Sequence, residues 1–267
     1  MANNKKSENK NSAECKKEFI KVFNSFSGKY DKHTIWSDFV SMTAITLSNV
    51  FDKRFWSERE ERFLKIREKY DEADYDKFCQ MLSLTVLALN DNTEQDFLGT
   101  LYGELKLYNA KNNEYFTPYH VAVLTSVLAC TDWKKVDTPI SIADDCCGAG
   151  CMLIASANML KNNNINYQRE AVFYAQDINM TVALMCYIQL SLLGMQAVIK
   201  IGDTLADPFK SGEEFTKENH WITPMSYNEV RACFSADKII SVKEWYLFLC
   251  SVISKKYDLK KTIELIA

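Results

Sequence analysis

The sequence reads as an α/β fold, a parallel sheet with crossover helices preceded by an all-helical segment. Three observations carry this expectation. Over residues 36–110, Trp36, Phe39, Thr43, Leu47 and Val50 recur three or four apart, and only Gly99 and Gly103 interrupt the span, which is the period of helices. After Trp133 the period changes, and short apolar stretches at 140–143, 171–175 and 197–201 alternate with helical ones at 150–160 and 180–193. Such a βαβαβ series implies a parallel sheet with right-handed crossovers. The first strand meets its helix through Asp144-Asp145-Cys146-Cys147-Gly148-Ala149-Gly150, a turn holding two of the eight glycines in the chain.

Taken in order, residues 1–13 are polar, rich in Asn and Lys, and read as a disordered tail. Lys16, Lys17, Lys21, Lys29 and Lys32 carry its positive bias into a first helix whose apolar face is Phe19, Ile20, Val22, Phe23 and Phe26. Ser57-Glu58-Arg59-Glu60 has the form of a capping box and predicts a charged helix through Lys69. Further helices are expected over 75–89 and 97–108. Thr117 as N-cap with Pro118 at the first helical position predicts another, with His120 on its surface.

Composition narrows the function classes. The 267 residues are 47% hydrophobic and carry a net charge of −3 with a pI near 5.8, enough apolar material for a core and too little positive charge to grip nucleic acid by bulk electrostatics. Nine cysteines form an odd set with no secretion signal and no paired Cys-x-x-Cys units, so they read as reduced thiols of a cytoplasmic protein. Cys146, Cys147 and Cys151 cluster, yet in a turn they serve as small apolar residues, and no metal site is expected. No apolar run reaches the length of a membrane span.

The chemistry gathers at the carboxyl ends of the three strands. Asp144 ends the first, Gln176-Asp177 the second and Gly202-Asp203 the third. In open parallel sheets ligands sit outside those ends, so three carboxylates and a glycine turn face one crevice. Glycine admits positive φ and close approach of a ligand, and the helix after it presents unpaired N–H groups. A carboxylate at 177 suits a ribose diol, because it accepts from two hydroxyls at once. Asn179 caps the next helix. The pattern predicts a nucleotide-type cofactor site.

Phe116-Thr117-Pro118, Asp144 to Gly150, Gln176-Asp177-Ile178-Asn179 and Gly202-Asp203-Thr204-Leu205, in that order, resemble the cofactor motifs of adenine-N6 DNA methyltransferases. The resemblance covers residues from about 36 to 229 and is nearest to the methylation (modification) subunits of type I restriction systems, in the short form borne on mobile elements. It implies a Rossmann-like S-adenosylmethionine-dependent methyltransferase domain over 113–267, with an incomplete sheet truncated at the C-terminus, after a helical N-terminal domain over 14–112. By that resemblance Phe116, Thr117 and Pro118 border the methionine part of S-adenosyl-L-methionine, Asp144 lies near its amino group, and Gly148 and Gly150, with Cys146 in the same turn, pass beneath it. Asp177 is then the ribose acid, Ile178 the contact to adenine, and Asp203 the acceptor for the adenine amine, flanked by Thr204 and Leu205. Where the family carries proline, this chain has Asp145.

The catalytic motif of that family, Asn or Asp followed by Pro-Pro and an aromatic, is absent, since no Pro-Pro occurs in the sequence. Asp207-Pro208-Phe209 is the only stand-in, five residues past Gly202 with no apolar strand between. A later strand is expected at 238–242, and Ser241-Val242-Lys243-Glu244 has the form of a capping box opening a last helix. That makes about four strands where the family has seven. The resemblance therefore implies either an adenine-specific DNA methyltransferase, or a cofactor-binding protein without catalysis that modulates a restriction or defence system. A methyltransferase with a different acceptor is a third class. The partner implied is DNA, reached through a specificity subunit or other partner protein, with a homo-oligomer among the assemblies.

Overall fold

The computed structural model describes residues 10–26, 28, 30–108, 116–129, 139–210, 212–215, 217–235 and 238–256. Five helices come first: α1 (Ser12–Phe23), α2 (Lys32–Phe51), α3 (Trp56–Arg67), α4 (Glu72–Asp91) and α5 (Phe97–Glu104). Then follow α6 (Tyr119–Ala129), β1 (Ile140–Asp144), α7 (Cys151–Asn162), α8 (Tyr167–Glu170), β2 (Ala171–Asp177), α9 (Met180–Leu192), β3 (Ala197–Ile201) and β4 (His220–Ile222). The short α10 (Asn228–Arg231) and the long α11 (Val242–Lys256) complete the described part. The expected domain boundary at 112/113 lies outside the described residues.

Helix α1 starts within the stretch expected to be a polar tail, because the Asn11 side chain and Glu14 form a reciprocal capping box. Residues 1–9 of that tail lie outside the described residues. Asp31 and Asp71 cap α2 and α4 with their carboxylates. The expected capping box at Ser57 is not one: α3 begins at Trp56 with Phe55 as N-cap and no side-chain bond. The helical hydrogen bonds already begin with the Arg59 amide to the Phe55 carbonyl at 3.1 Å, so Ser57 lies inside the first turn rather than before it. Helix α5 stops at Glu104 rather than 108, closed by Lys106 at φ +55° and by the Leu107 amide reaching the Tyr102 carbonyl at 3.0 Å.

The sheet has the order β1-β2-β3-β4. The first three strands are parallel, Ile142 facing Phe173 and Ala175 facing Ile199, as the βαβαβ pattern requires. The fourth runs antiparallel and is not the expected 238–242 segment. That segment forms no strand. Its Ile240 amide and carbonyl are both taken by the Gln168 side chain, at 2.8 and 3.1 Å, so one carboxamide does the work of a neighbouring strand. Residue 241 then opens α11 as expected, with Ser241 Oγ accepting the Glu244 amide at 3.2 Å.

Helix α9 packs against β2 and β3 and α7 against β1. Both α2 and α11 pack onto α9 in turn. Trp36 Nε1 points at Met185 Sδ (3.4 Å) and Trp245 Nε1 donates to the Ser191 carbonyl (2.7 Å), so the indoles bury without orphaned donors. One apolar core runs from Phe19 and Phe39 through Tyr187 and Leu190 to Ile199. A buried Arg59 pairs with Asp52 at 3.1 Å, stacks 3.9 Å from the Trp221 ring and donates to the His220 carbonyl at 3.0 Å. Among the described residues no helix is long and apolar enough to cross a membrane.

Candidate functional site

The turn after β1 is built from backbone bonds. The Cys147 amide donates to the Gln176 carbonyl (2.9 Å), fastening the turn to the end of β2, and the Gly150 amide donates to the Cys147 carbonyl (2.8 Å). Gly148 and Gly150 take φ of +55° and +94°. Gly150 is the N-cap of α7, and a Cβ there would lie 2.9 Å from Cys186 Sγ. At Gly148 a Cβ would meet only Phe116, at 3.8 Å. The first glycine thus faces an open side and the second faces the core.

Asp177 joins the turn to the second strand end. Its Oδ2 accepts the Gly148 amide at 3.0 Å and its Oδ1 the Asn179 amide at 2.8 Å. Asn179 caps α9 through the Thr181 and Val182 amides. Asp144 Oδ1 accepts the Cys146 amide at 3.2 Å, whereas its Oδ2 is buried without a hydrogen-bond partner. Burial pushes this carboxyl above the usual carboxylate range against the Cys146 bond, and the charges of Asp145 and Asp177 add to the rise.

The third strand end closes toward the first. The Gly202 amide donates to the Asp177 carbonyl at 3.0 Å, and Asp203 Oδ1 accepts the Leu205 amide at 2.9 Å. Thr204 Oγ1 reaches across to the Asp145 carbonyl at 2.6 Å. Asp145, where the family has proline, therefore contributes its backbone to the crevice while its side chain stays exposed. Ile178, just past β2, and Leu205, in the loop after β3, are large apolar side chains 71% and 95% exposed.

The Phe116-Thr117-Pro118 segment lies against this turn. Phe116 packs on Tyr102 with ring centroids 5.3 Å apart, and Cys151 Sγ donates to the Thr117 carbonyl at 3.2 Å. The Val121 and Ala122 amides both reach the Pro118 carbonyl, so α6 begins one residue later than the Thr-Pro pair suggested. His120 is exposed, as expected.

Asp207, Pro208 and Phe209 are all engaged with buried Lys200. Lys200 Nζ lies 3.2 Å from Asp207 Oδ1, 3.2 Å from the Pro208 carbonyl and 3.0 Å from Glu213 Oε1. The Phe209 ring sits edge-on to Tyr174 at 5.6 Å and to Phe215 at 6.2 Å. The Lys200 bond and charge hold the Asp207 carboxyl below its ordinary value. A fully buried lysine inside β3 had no signal in the sequence beyond one polar residue in an apolar strand. Gln176 was also underrated: its amide donates to the Gly202 and Asp207 carbonyls at 3.3 and 2.9 Å and ties the loop after β3 to β2.

Comparison with known proteins gives the family. The family model described as N-6 DNA methylase matches residues 93–231, from the α4–α5 connection through the crevice to α10. The type I restriction enzyme MjaVII methylase subunit of Methanocaldococcus jannaschii is 30% identical over 145 residues, which are 51% of this chain and 24% of that protein. The matched stretch is thus about a quarter of that relative's length. With the family model covering more than half of its residues, all four crevice segments included, the chain belongs to the N-6 DNA methylase family.

Proposed function

We propose that the chain binds S-adenosyl-L-methionine at the carboxyl ends of β1, β2 and β3 and serves as a methylation subunit of a restriction-modification system, acting on adenine in DNA. The observation that carries this is Asp144 Oδ2, a buried acceptor without a partner beside an open glycine turn. An ammonium group completes it, since an orphaned buried carboxylate oxygen is unfavourable by itself. When bound, the cofactor supplies a methyl group on a sulfonium centre. In this reading Asp144 holds the amino end, Asp177 the ribose diol, Ile178 and Leu205 the two faces of the adenine ring, and Asp203 its amine. Phe116, Thr117 and Pro118 wall the methionine end, with Gly148, Gly150 and Cys146 below.

DNA is reached through a specificity subunit or another protein, in keeping with a pI near 5.8. Calorimetry with S-adenosylmethionine tests the cofactor reading: micromolar binding that Asp177→Ala abolishes is expected, and equal binding by both proteins sinks it. Transfer of labelled methyl to adenine in duplex DNA tests the activity.

A second reading has its own observation. Lys200 holds both the Asp207 carboxylate and the Pro208 carbonyl, the groups a catalytic reading needs free for the target amine. This favours a cofactor-binding relative that modulates a restriction or defence system without methylating. Binding without transfer, under every partner combination tried, distinguishes it.

A further inference from the structure

At the β3–β4 end of the sheet, Arg59 and Arg62 of α3 border a pocket of about 340 Å³. Spaced three apart, they fall on one face of the helix. Its apolar walls are Trp221 in β4, Ile201 at the end of β3 and Met180 at the start of α9. None of the four crevice segments lines it.

Both guanidinium groups have donors to spare. Arg59 is 3% exposed and spends its terminal N–H groups on Ser48 Oγ, Asp52 Oδ2 and the Glu218 and His220 carbonyls, but its Nε is buried without a hydrogen-bond partner. Arg62 is half-buried and lacks an anion. Its Nη1 meets Met180 Sδ at 3.2 Å and its Nη2 donates to Ser41 Oγ at 3.0 Å, with no carboxylate of the described residues in ion-pair reach. Burial pulls its pKa below the ordinary arginine value, against the more distant charges of Asp38 and Glu218. Asp38 is already committed to Lys69 and Tyr70.

We propose that this pocket binds the phosphate group of a small organic monoester, held by Arg62 and the Arg59 Nε. A desolvated cation without an anion is unfavourable, and so is a buried donor without an acceptor. One oxyanion answers both. An arginine has five N–H donors, of which Arg62 uses two and Arg59 four. A phosphate, with three terminal oxygens, suits the several that remain better than a carboxylate with two. The pocket has room for roughly ten waters, more than a bare phosphate displaces, so the organic body lies along Met180 and Ile201. Glu58 and Glu218, which also line it, are exposed. Water screens them from a small dianion inside, whereas a duplex laid across the mouth meets both. The inference is independent of the cofactor reading.

The probe is phenyl phosphate, titrated onto the full 267-residue protein and followed by calorimetry and by amide and indole resonances. Saturable one-to-one binding is expected, with shifts at residues 59–62 and 219–221 and at the Trp221 indole. Inorganic phosphate binds at the same residues at least threefold more weakly, and benzoate at least tenfold more weakly than phenyl phosphate. Arg62→Gln weakens phenyl phosphate at least tenfold, while Lys65→Gln, at an exposed cation of the same helix, leaves it intact. Arg62→Lys keeps the charge without the planar fork and falls between, and it carries the test alone if the glutamine variant fails to fold in a thermal melt. No saturable binding, shifts at residues 144–150 in place of the pocket, benzoate binding as tightly as phenyl phosphate, or a short DNA duplex that displaces the probe each overturns the proposal.

Discussion

Asp177 Oδ2 accepts the Gly148 amide at 3.0 Å, so the acid that ends the second strand also props the glycine turn after the first. One carboxylate both shapes the crevice and faces it. Asp177→Asn keeps an acceptor and loses the charge, whereas Asp177→Ala loses both. The alanine variant is expected to be destabilised by about 1–2 kcal/mol and the asparagine variant by less, with cofactor affinity reduced in both. Urea unfolding and calorimetry on the pair separate the two roles; identical stability losses would refute them.

The two glycines of the turn should respond unequally. Gly150→Ala combines a left-handed backbone with a 2.9 Å approach to Cys186 Sγ, while Gly148→Ala meets nothing closer than 3.8 Å. A left-handed alanine costs roughly 1–2 kcal/mol, and the sulfur contact adds to this at position 150 alone. Gly150→Ala is therefore the more destabilised in chemical denaturation. Equal losses would mean that Cys186 moves aside freely.

Asp144 makes a pH prediction. Its folded carboxyl titrates above the unfolded one, for reasons of burial first. The stability contributed by holding this proton is full below the unfolded value and is lost as pH rises through the folded value. Asp144→Asn removes that loss, so the variant gains stability relative to its parent at neutral pH, and the difference shrinks as the pH falls. It binds S-adenosylmethionine more weakly throughout. Thermal melts from pH 4 to about 8 read the sign.

Asp52 behaves in the opposite sense. Burial alone would raise its carboxyl, but Arg54 and Arg59 overcome this and hold it below its ordinary value. Its contribution is present above the unfolded value and lost as pH falls through the folded one. Asp52→Asn leaves the buried Arg59 guanidinium without its carboxylate, at a cost of roughly 3–5 kcal/mol, and flattens the acid limb of the stability curve. An acid titration followed by circular dichroism checks both.

Ile178 and Leu205 are exposed in the chain alone, so replacing either by serine should move stability by less than about 0.5 kcal/mol. Covering each by an adenine ring is worth about 1 kcal/mol, hence several-fold in affinity per residue. A variant that binds cofactor normally removes that side chain from the site.

The three parallel strands were legible because their runs are short, apolar and spaced by helices, and the crevice because strand ends in such sheets collect the ligand groups. The segment at 238–242 misled for a physical reason: Ile239 and Ile240 have strand-like composition, yet a single glutamine 72 residues away satisfies the backbone of Ile240. His220–Ile222 escaped notice because three residues give no period. Ser57 misled because the helix starts one residue before it, with Phe55 as N-cap, so the motif falls inside the first turn. The fate of Asp207-Pro208-Phe209 turned on Lys200, which acts from inside a strand where lysine is rarely expected.

Gln189 gives the first hundred residues a part in the site. Its amide donates to Asp96 Oδ1 at 2.8 Å and to the Ala149 carbonyl at 2.9 Å, and its oxygen accepts the Leu98 amide at 3.1 Å. A single carboxamide in α9 is thus spliced to the start of α5 on one side and to the glycine turn on the other. The position of Ala149, between the two glycines, is referenced to helices that carry none of the chemistry. Those helices are the bench on which the turn is mounted, and their sequence is free to vary only where it leaves that mounting in place.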